Sequence, residues 1–527
     1  MTTIALLFQN KFFSKKYLIW EGVIAAILAF GLFGASILVF PFEMPLSTAK
    51  VFQFFLICVA CWPISVFLFW FVDFVQQRIK KECSVVSKKK MFLYWGVYFG
   101  IAFGVPVLYL IAFNPAIMFG DSYLQVGMAT GTIEMDAWQP LFDTLVIRLI
   151  LAVCNCLQAV VIVQVLYWAL VVASLFYFIA KGSGRWFMTG VVLFLFSIAP
   201  NQGLQVVTIL KDVPFATTML WMLLILMRLF KYRTASRVLC LEAGLCVALI
   251  CLIRLNGIVV ALTFLLAFIF LLPCKKRLFW GIISALAVFI PYQIAVLYME
   301  YIPVPAGSKY IALVYDIQNV KSSGYSVPLE ADAYLHGVQD QEYMELYYSA
   351  DPTVGNTAID YEFAENYTLP RFIKIYLETF FEHPIVFVRN ILVRMNLFWD
   401  FTENIVQARS IGITYYEENA YQWEKFPDYG PRKENVLTGA FQWLTTVTLS
   451  WPLATIFWRT APYVVLLFLL ASFIMLRGNK KQLLLFSPLI GLFVALLLTC
   501  FCSEYRYFWP FLHYGIVFLI YPFEMVK

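Results

Sequence analysis

Asp121, with Ser122 and Gln125 behind it and Gln139 further on, stands at the end of a long apolar run. Lys211-Asp212, Arg254 with Asn256, and Glu504 with Arg506 interrupt or end three others. A carboxylate beside several cations can activate a hydroxyl while a phosphate is held, because the carboxylate takes a proton and the cations offset the phosphate charge. The forked guanidinium groups of Arg254 and Arg506 suit a phosphodiester better than the Lys211 point charge. Each charge also has a plain reading. Asp121 after Gly120 can cap a helix, and Lys or Arg at a helix end often snorkels to the interface. Polar groups at the ends of apolar helices are costly unless paired or solvated, and both signs gathered on one face favour a site.

The stretch 114–143 holds four acids (Asp121, Glu134, Asp136, Asp143) and no Lys or Arg, and it reads as a solvent-facing loop after a buried segment. Glu134 and Asp136 belong to no motif and read as solvated. From 141 to 155 the pattern is amphipathic, which suits a helix lying in the membrane interface. Asp143 reads as the cap of that helix, with a role beside the acceptor or a metal as the other reading. Asp212 reads as the ion-pair partner of Lys211.

The elements that must carry these groups are set by composition. The chain of 527 residues is 62% hydrophobic and 13% charged, against roughly 45–50% and about 25% in soluble domains. It is expected to be an all-α polytopic membrane protein with about twelve spans of roughly 20 residues and a mixed extracytoplasmic domain. Basic clusters around Lys11–Lys16, Arg78–Lys90, Lys181–Arg185, Arg228–Arg237, Lys275–Arg277 and Arg477–Lys481 alternate with the apolar runs. By the positive-inside rule they place both termini in the cytoplasm and all four charged turns outside.

Four regions follow: 1–90, a transmembrane hairpin and basic loop; 91–299, a transmembrane core whose first outer loop is 114–156; 300–460, an outer domain; and 461–527, the last helices. The outer domain holds 20 of the 32 acids between Glu300 and Glu434, against 10 Lys plus Arg. Arg371 to Phe381 reads as helix, while 384–399 and 436–458 read as dips into the interface or as an extra pair of spans. The first apolar run lacks a small-residue cleavage site and reads as a retained helix. The 11 cysteines lie mostly in apolar runs, where they act as small hydrophobes. His336, His383 and His513 are scattered, so no zinc site is expected. Trp399, Tyr415, Tyr416, Tyr421 and Trp423 read as an interfacial aromatic belt or a sugar-stacking platform. The net charge of +6 is a topology signal and implies no nucleic-acid partner.

The run Phe119-Gly120-Asp121-Ser122 with Gln125, then Trp138-Gln139-Pro140 and Thr144, resembles the first outer loop of polytopic GT-C-type glycosyltransferases, particularly bacterial members with a GDS…Q…HP…T pattern. Lys211-Asp212-Val213-Pro214-Phe215, Arg254-Leu255-Asn256-Gly257 and Glu504-Tyr505-Arg506-Tyr507 are similar to later landmarks of those proteins. The resemblance covers about residue 92 to the end of the chain. It implies a GT-C-like fold, a polyprenyl-phosphate sugar as donor, a glycan or glycolipid acceptor in the cell envelope, and membrane lipid around both. It further implies Asp121 as catalytic base with inversion at the anomeric carbon, and Ser122, Gln125, Gln139, Lys211, Asp212, Arg254, Asn256, Glu504 and Arg506 around the substrates. A separate synthase and a flipping step would supply the donor. No residue is assigned to a metal, although a divalent cation is compatible with the chemistry. Gln139 stands where the pattern has His, and the hairpin 1–72 lies outside it. The rival expectation is a transporter or flippase of lipid-linked glycans. Against it, charges sit at helix ends and no internal repeat is found.

Overall fold

The computed structural model describes residues 15–39, 48–79, 87–118, 120–303, 311–342, 360, 363–364, 367–402, 434–450, 452–500 and 504–524. Its regular structure is helical. The N-terminal region is a hairpin of α1 (Lys15–Val39) and α2 (Thr48–Ile79). The core follows with α3 (Lys88–Ala112), α4 (Gly120–Thr130), α5 (Leu141–Val153), α6 (Leu157–Ser183), α7 (Trp186–Ile198), α8 (Pro200–Val206), α9 (Asp212–Tyr232), α10 (Arg237–Ile253), α11 (Gly257–Leu271) and α12 (Leu278–Leu297). Next come α13 (Ile311–Ser322), α14 (Leu329–Val338), α15 (Leu369–Glu382), α16 (Pro384–Arg394), α17 (Asn396–Trp399), α18 (Val436–Leu449) and α19 (Leu453–Phe457). The chain closes with α20 (Ala461–Arg477), α21 (Ser487–Thr499) and α22 (Tyr505–Ile520).

Seven helices among the described residues are long and apolar enough to cross a membrane, or eight if α7 and α8, bent by 67° at their junction, form one broken span. This is a multi-pass membrane protein, in which helices keep every backbone group satisfied away from water. The apolar runs are helical, but seven or eight spanning helices stand against about twelve expected. Five of the runs are shorter than a full span because Pro, Gly and charged turns cut them: α10 stops at Arg254 and α11 restarts at Gly257. The segments 384–399 and 436–458 are also broken. α16 runs 11 residues before Met395, and α18 runs 14 before Ser450, so neither supplies a spanning helix.

α9 is buried on nearly every side, as a helix that is apolar all round must be, and it is the axis on which α6, α10, α11 and α22 pack. α12 has only Gly281 buried and leans chiefly on α10, with a ring contact from Tyr292 to Phe142 of α5, leaving the rest of its surface partly or fully exposed. The region 300–460 has a separate core, in which Val314 and Ile317 of α13, Tyr334 and Leu335 of α14, Phe372 and Ile375 of α15 and Phe387 of α16 meet. The expected helix over Arg371–Phe381 lies inside α15. Its buried Phe372, Ile375 and Thr379 recur at helical spacing. No strand occurs among the described residues there, so the expected mixed domain is helical in its described parts. A bridge joins Ile302 to Asp136 of the first loop.

The reading of 114–143 as a solvent-facing loop is corrected. Its middle is α4, a helix of 11 residues whose Ser122, Tyr123, Gln125, Val126, Gly127, Met128 and Ala129 are buried. Gly131 to Glu134 after it lies exposed, as do Leu124, Thr130 and Trp138.

Candidate functional site

Two backbone segments are joined to bring Asp121 and Lys211 together. Ile117, four residues before Asp121, bridges Thr208 in parallel, with Ile117 N–H to the Val207 carbonyl at 3.4 Å and Ile209 N–H to the Ile117 carbonyl at 3.0 Å. Gln164 of α6 reinforces the second segment by donating to the carbonyls of Val206 and Thr208, both at 2.8 Å. Ser122 donates to the Ile209 carbonyl and pins the first turn of α4 to the same segment. Ser122 is therefore a fastening inside the protein, fully buried, rather than a group offered to a substrate.

Onto this frame the helix ends deliver their charges. Arg506, in the first turn of α22, donates from Nη1 to Asp121 Oδ2 at 2.6 Å, and the same Nη1 lies 3.6 Å from Asp212 Oδ2. Its Nε meets Glu504 and its Nη2 meets the Tyr507 hydroxyl at 3.1 Å. Lys211 Nζ lies 3.5 Å from Asp121 Oδ2 and also donates to Gln139 Oε1. Gln139 Nε2 in turn donates to Asp121 Oδ1 at 3.2 Å, so the amide standing where the pattern has His ties the carboxylate to the lysine. Arg254, just past α10, pairs with Asp212 Oδ1 and lies over the rings of Tyr507 at 4.7 Å and Phe215 at 5.4 Å. All four predicted turns thus converge at one end of the bundle.

Asp212 bonds to Arg254 and forms an ion pair with Arg506 rather than with its neighbour Lys211, which corrects the simpler pairing. The reason is geometric: as the first residue of α9 it points into the bundle, and only 1% of its side chain is exposed. Asn256 lies apart from the cluster, reaching Thr499 at 3.4 Å. Glu134 is exposed, and Asp136 caps the backbone N–H of Trp138 at 2.7 Å. Trp399 packs its ring on Phe30 of α1, which leaves it no part in the site. Tyr415, Tyr416, Tyr421 and Trp423 fall outside the described residues, as does Phe119.

The expectation that Asp143 caps its helix is corrected by the structure. The N-cap of α5 is Pro140, with no side-chain capping bond. Asp143 instead accepts from Gln125 Nε2 at 3.0 Å. Asp121 and Gln125 lie one turn apart on α4, and Gln139 and Asp143 are spaced by the same four residues. The cross-links Gln139–Asp121 and Gln125–Asp143 both join residues 18 apart. That repeated spacing was the signal in the sequence.

Comparison with family models, curated proteins and solved structures found no match for this chain. The chemistry of the site is accordingly argued from its residues. Burial works against the Asp121 anion, but the Arg506 guanidinium and the Lys211 ammonium outweigh it and hold the carboxyl well below the usual carboxylate range. Burial draws the Lys211 ammonium below its ordinary value against the pull of Asp121 and Asp212. Burial also pushes the Asp143 carboxyl up to about 6, tempered by Lys211 and by the Gln125 hydrogen bond. Within the cluster the cations thus favour the ionised form of Asp121 while burial favours the neutral form of Asp143, beside two arginine forks. Among the described residues no three His, Cys, Asp or Glu side chains converge as a metal site. With 26% of the Asp121 side chain exposed and 9% of Arg506, the cluster opens on Asp121 and is closed behind it.

Proposed function

We propose that this chain is a GT-C-like membrane glycosyltransferase that moves one sugar from a polyprenyl-phosphate carrier to a glycan or glycolipid hydroxyl on the extracytoplasmic face, with inversion at the anomeric carbon. The observation that carries the reading is the partly exposed Asp121 carboxylate held by Arg506 and Lys211, with Arg254 joined to Arg506 through Asp212, where several helix ends meet. Such an arrangement presents forked donors to a phosphodiester and a carboxylate to the hydroxyl that attacks the sugar. Holding both reactants in one pocket converts a bimolecular encounter into an oriented one, which is a large part of such a rate enhancement. The polyprenyl tail would lie in the bilayer along the apolar outer faces of the helices, and the outer domain would shape acceptor choice. On this reading both termini are cytoplasmic, and a synthase and a flipping step supply the donor.

The test is Asp121→Asn in cells. The expected result is loss of the sugar from the envelope glycan, with a rate drop of about 10²–10⁴-fold and accumulation of the polyprenyl-phosphate sugar on the outer leaflet. Normal glycan mass in the mutant sinks the proposal. Lipid-linked substrate stranded on the cytoplasmic leaflet would point to transport instead.

A further inference from the structure

The site holds four acids, Asp121, Asp143, Asp212 and Glu504, against three cations, Lys211, Arg254 and Arg506. Asp121 is engaged by Arg506, Lys211 and Gln139; Asp212 by Arg254 and Arg506; Glu504 by Arg506. Asp143 alone of the four forms no ion pair among the described residues, and its one hydrogen bond comes from a neutral amide. A carboxylate shared between two cations is a weak proton acceptor, because protonation forfeits both attractions. A carboxylate facing an amide loses little.

We propose that Asp143 takes the proton of the acceptor hydroxyl, while Asp121 stays bound to its cations and orients that hydroxyl. The inference rests on the glycosyl-transfer reading and names the proton acceptor within it. Three features support it. Asp143 lies beside Gln125, one helical turn from Asp121 on the same face of α4, a separation of roughly 5–6 Å between Cβ atoms. Gln125 is fully buried and its Oε1 has no hydrogen-bond partner among the described residues. An amide so placed serves both states, because Nε2 donates to the carboxylate and, after a flip, Oε1 accepts from the carboxyl. The groups acting on Asp143 are Gln125 from α4 and Lys211 and Asp212 from the start of α9; α6 and α10, which also pack on α5, add no charged group to these. Finally, the two carboxylates titrate far apart, and such separation assigns acid–base roles in paired-carboxylate sites.

The step balances without a further reactant. The hydroxyl oxygen bonds to the anomeric carbon, the bond from that carbon to the phosphate oxygen breaks, and its electron pair leaves with the polyprenyl phosphate. The hydroxyl proton passes to Asp143, which later returns it to water. One negative charge moves from Asp143 to the phosphate.

Native membrane vesicles carrying the full chain and their endogenous polyprenyl-phosphate sugars provide the assay, read as release of polyprenyl monophosphate between pH 5 and 9. The base must be ionised, so the wild-type rate should fall as pH drops through about 6. Asp143→Asn should lower the rate about 10²–10⁴-fold and abolish that limb. Gln125→Ala removes the group that stabilises the anion and should move the limb upward. Asp143→Glu should retain a measurable rate with a displaced limb. Stability separates function from folding: the raised folded-state pKa means that ionised Asp143 costs stability above about pH 6, so Asp143→Asn should melt no lower than wild type at pH 8. A wild-type rate and limb in Asp143→Asn, or a limb removed only by Asp121→Asn, overturns this assignment and leaves glycosyl transfer standing. No protein-dependent release at all overturns both.

Discussion

One guanidinium, that of Arg506, reaches Asp121, Asp212, Glu504 and Tyr507, and its side chain is 9% exposed. A lysine can occupy the same volume and keep the charge, but it lacks the planar fork that spans three acceptors. Arg506→Lys should therefore lose at least one charge-assisted hydrogen bond, worth ~1.5–3 kcal/mol, and cut the transfer rate by about tenfold or more. Polyprenyl monophosphate release in vesicles checks this, and an unchanged rate would remove Arg506 from the phosphate site. At this scale the charged turns were legible because an ionised residue at the end of an apolar run is conspicuous. Asp143 was not, because its amphipathic surroundings fit an interfacial helix equally well, and only the cross-link to Gln125 separates the two readings. Nor was the role of Ser122 legible, since a serine after Gly120-Asp121 looks the same facing a substrate or a carbonyl.

Among the helices, the helical character of the apolar runs was readable from hydropathy, whereas α4 was not. A helix of 11 residues is marginal by propensity, and its formation here comes from burial against α5 and from the Ser122 fastening. Close helix packing was likewise invisible in sequence. Gly244 of α10 faces Gly281 of α12, where an added Cβ would run into the Gly281 carbonyl and Ser284 Oγ. Ser284 spans this contact by donating to the Leu241 carbonyl at 2.8 Å. Small residues let membrane helices approach in this way, where van der Waals contact replaces the hydrophobic drive. Since α12 leans chiefly on α10, Gly244→Val should force the pair apart and cost about 1–3 kcal/mol, seen as a lower melting temperature in detergent. Gly96→Ala, where an added Cβ meets nothing within 4 Å, is the matched control. Equal melting of both variants would show that the contact contributes no stability.

Across the whole molecule, the parts outside the core are tied to it by buried polar contacts. The N-terminal hairpin, which the sequence left without a role, is fastened where Arg477 of α20 meets Asp73 and the Tyr17 hydroxyl, and where Gln76 pairs with the backbone of Tyr521 and Phe523. The outer domain is tied through Asp316 of α13, fully buried and bonded by Tyr376 Oη at 2.9 Å, by Asn390 and by Arg394 at 3.3 Å. Arg394 then donates to the carbonyls of Leu497, at 2.8 Å, and Cys500, at 2.5 Å, at the end of α21. Those are helix-terminal carbonyls that need outside donors. They lie only a few residues before Glu504 and Arg506, so one buried arginine joins the region 300–460 to the turn that carries Arg506. Arg394→Ala leaves Asp316 as a buried, uncompensated charge and the carbonyls without their donor, and should cost about 3–5 kcal/mol. Adding Asp316→Asn removes that charge and should recover part of the stability, as read by melting of the full chain in detergent. It should not recover the transfer rate, because the carbonyls at the end of α21 still lack Arg394. If both stability and rate return together in the double variant, the arginine matters only as a counter-ion and the outer domain does not position the site.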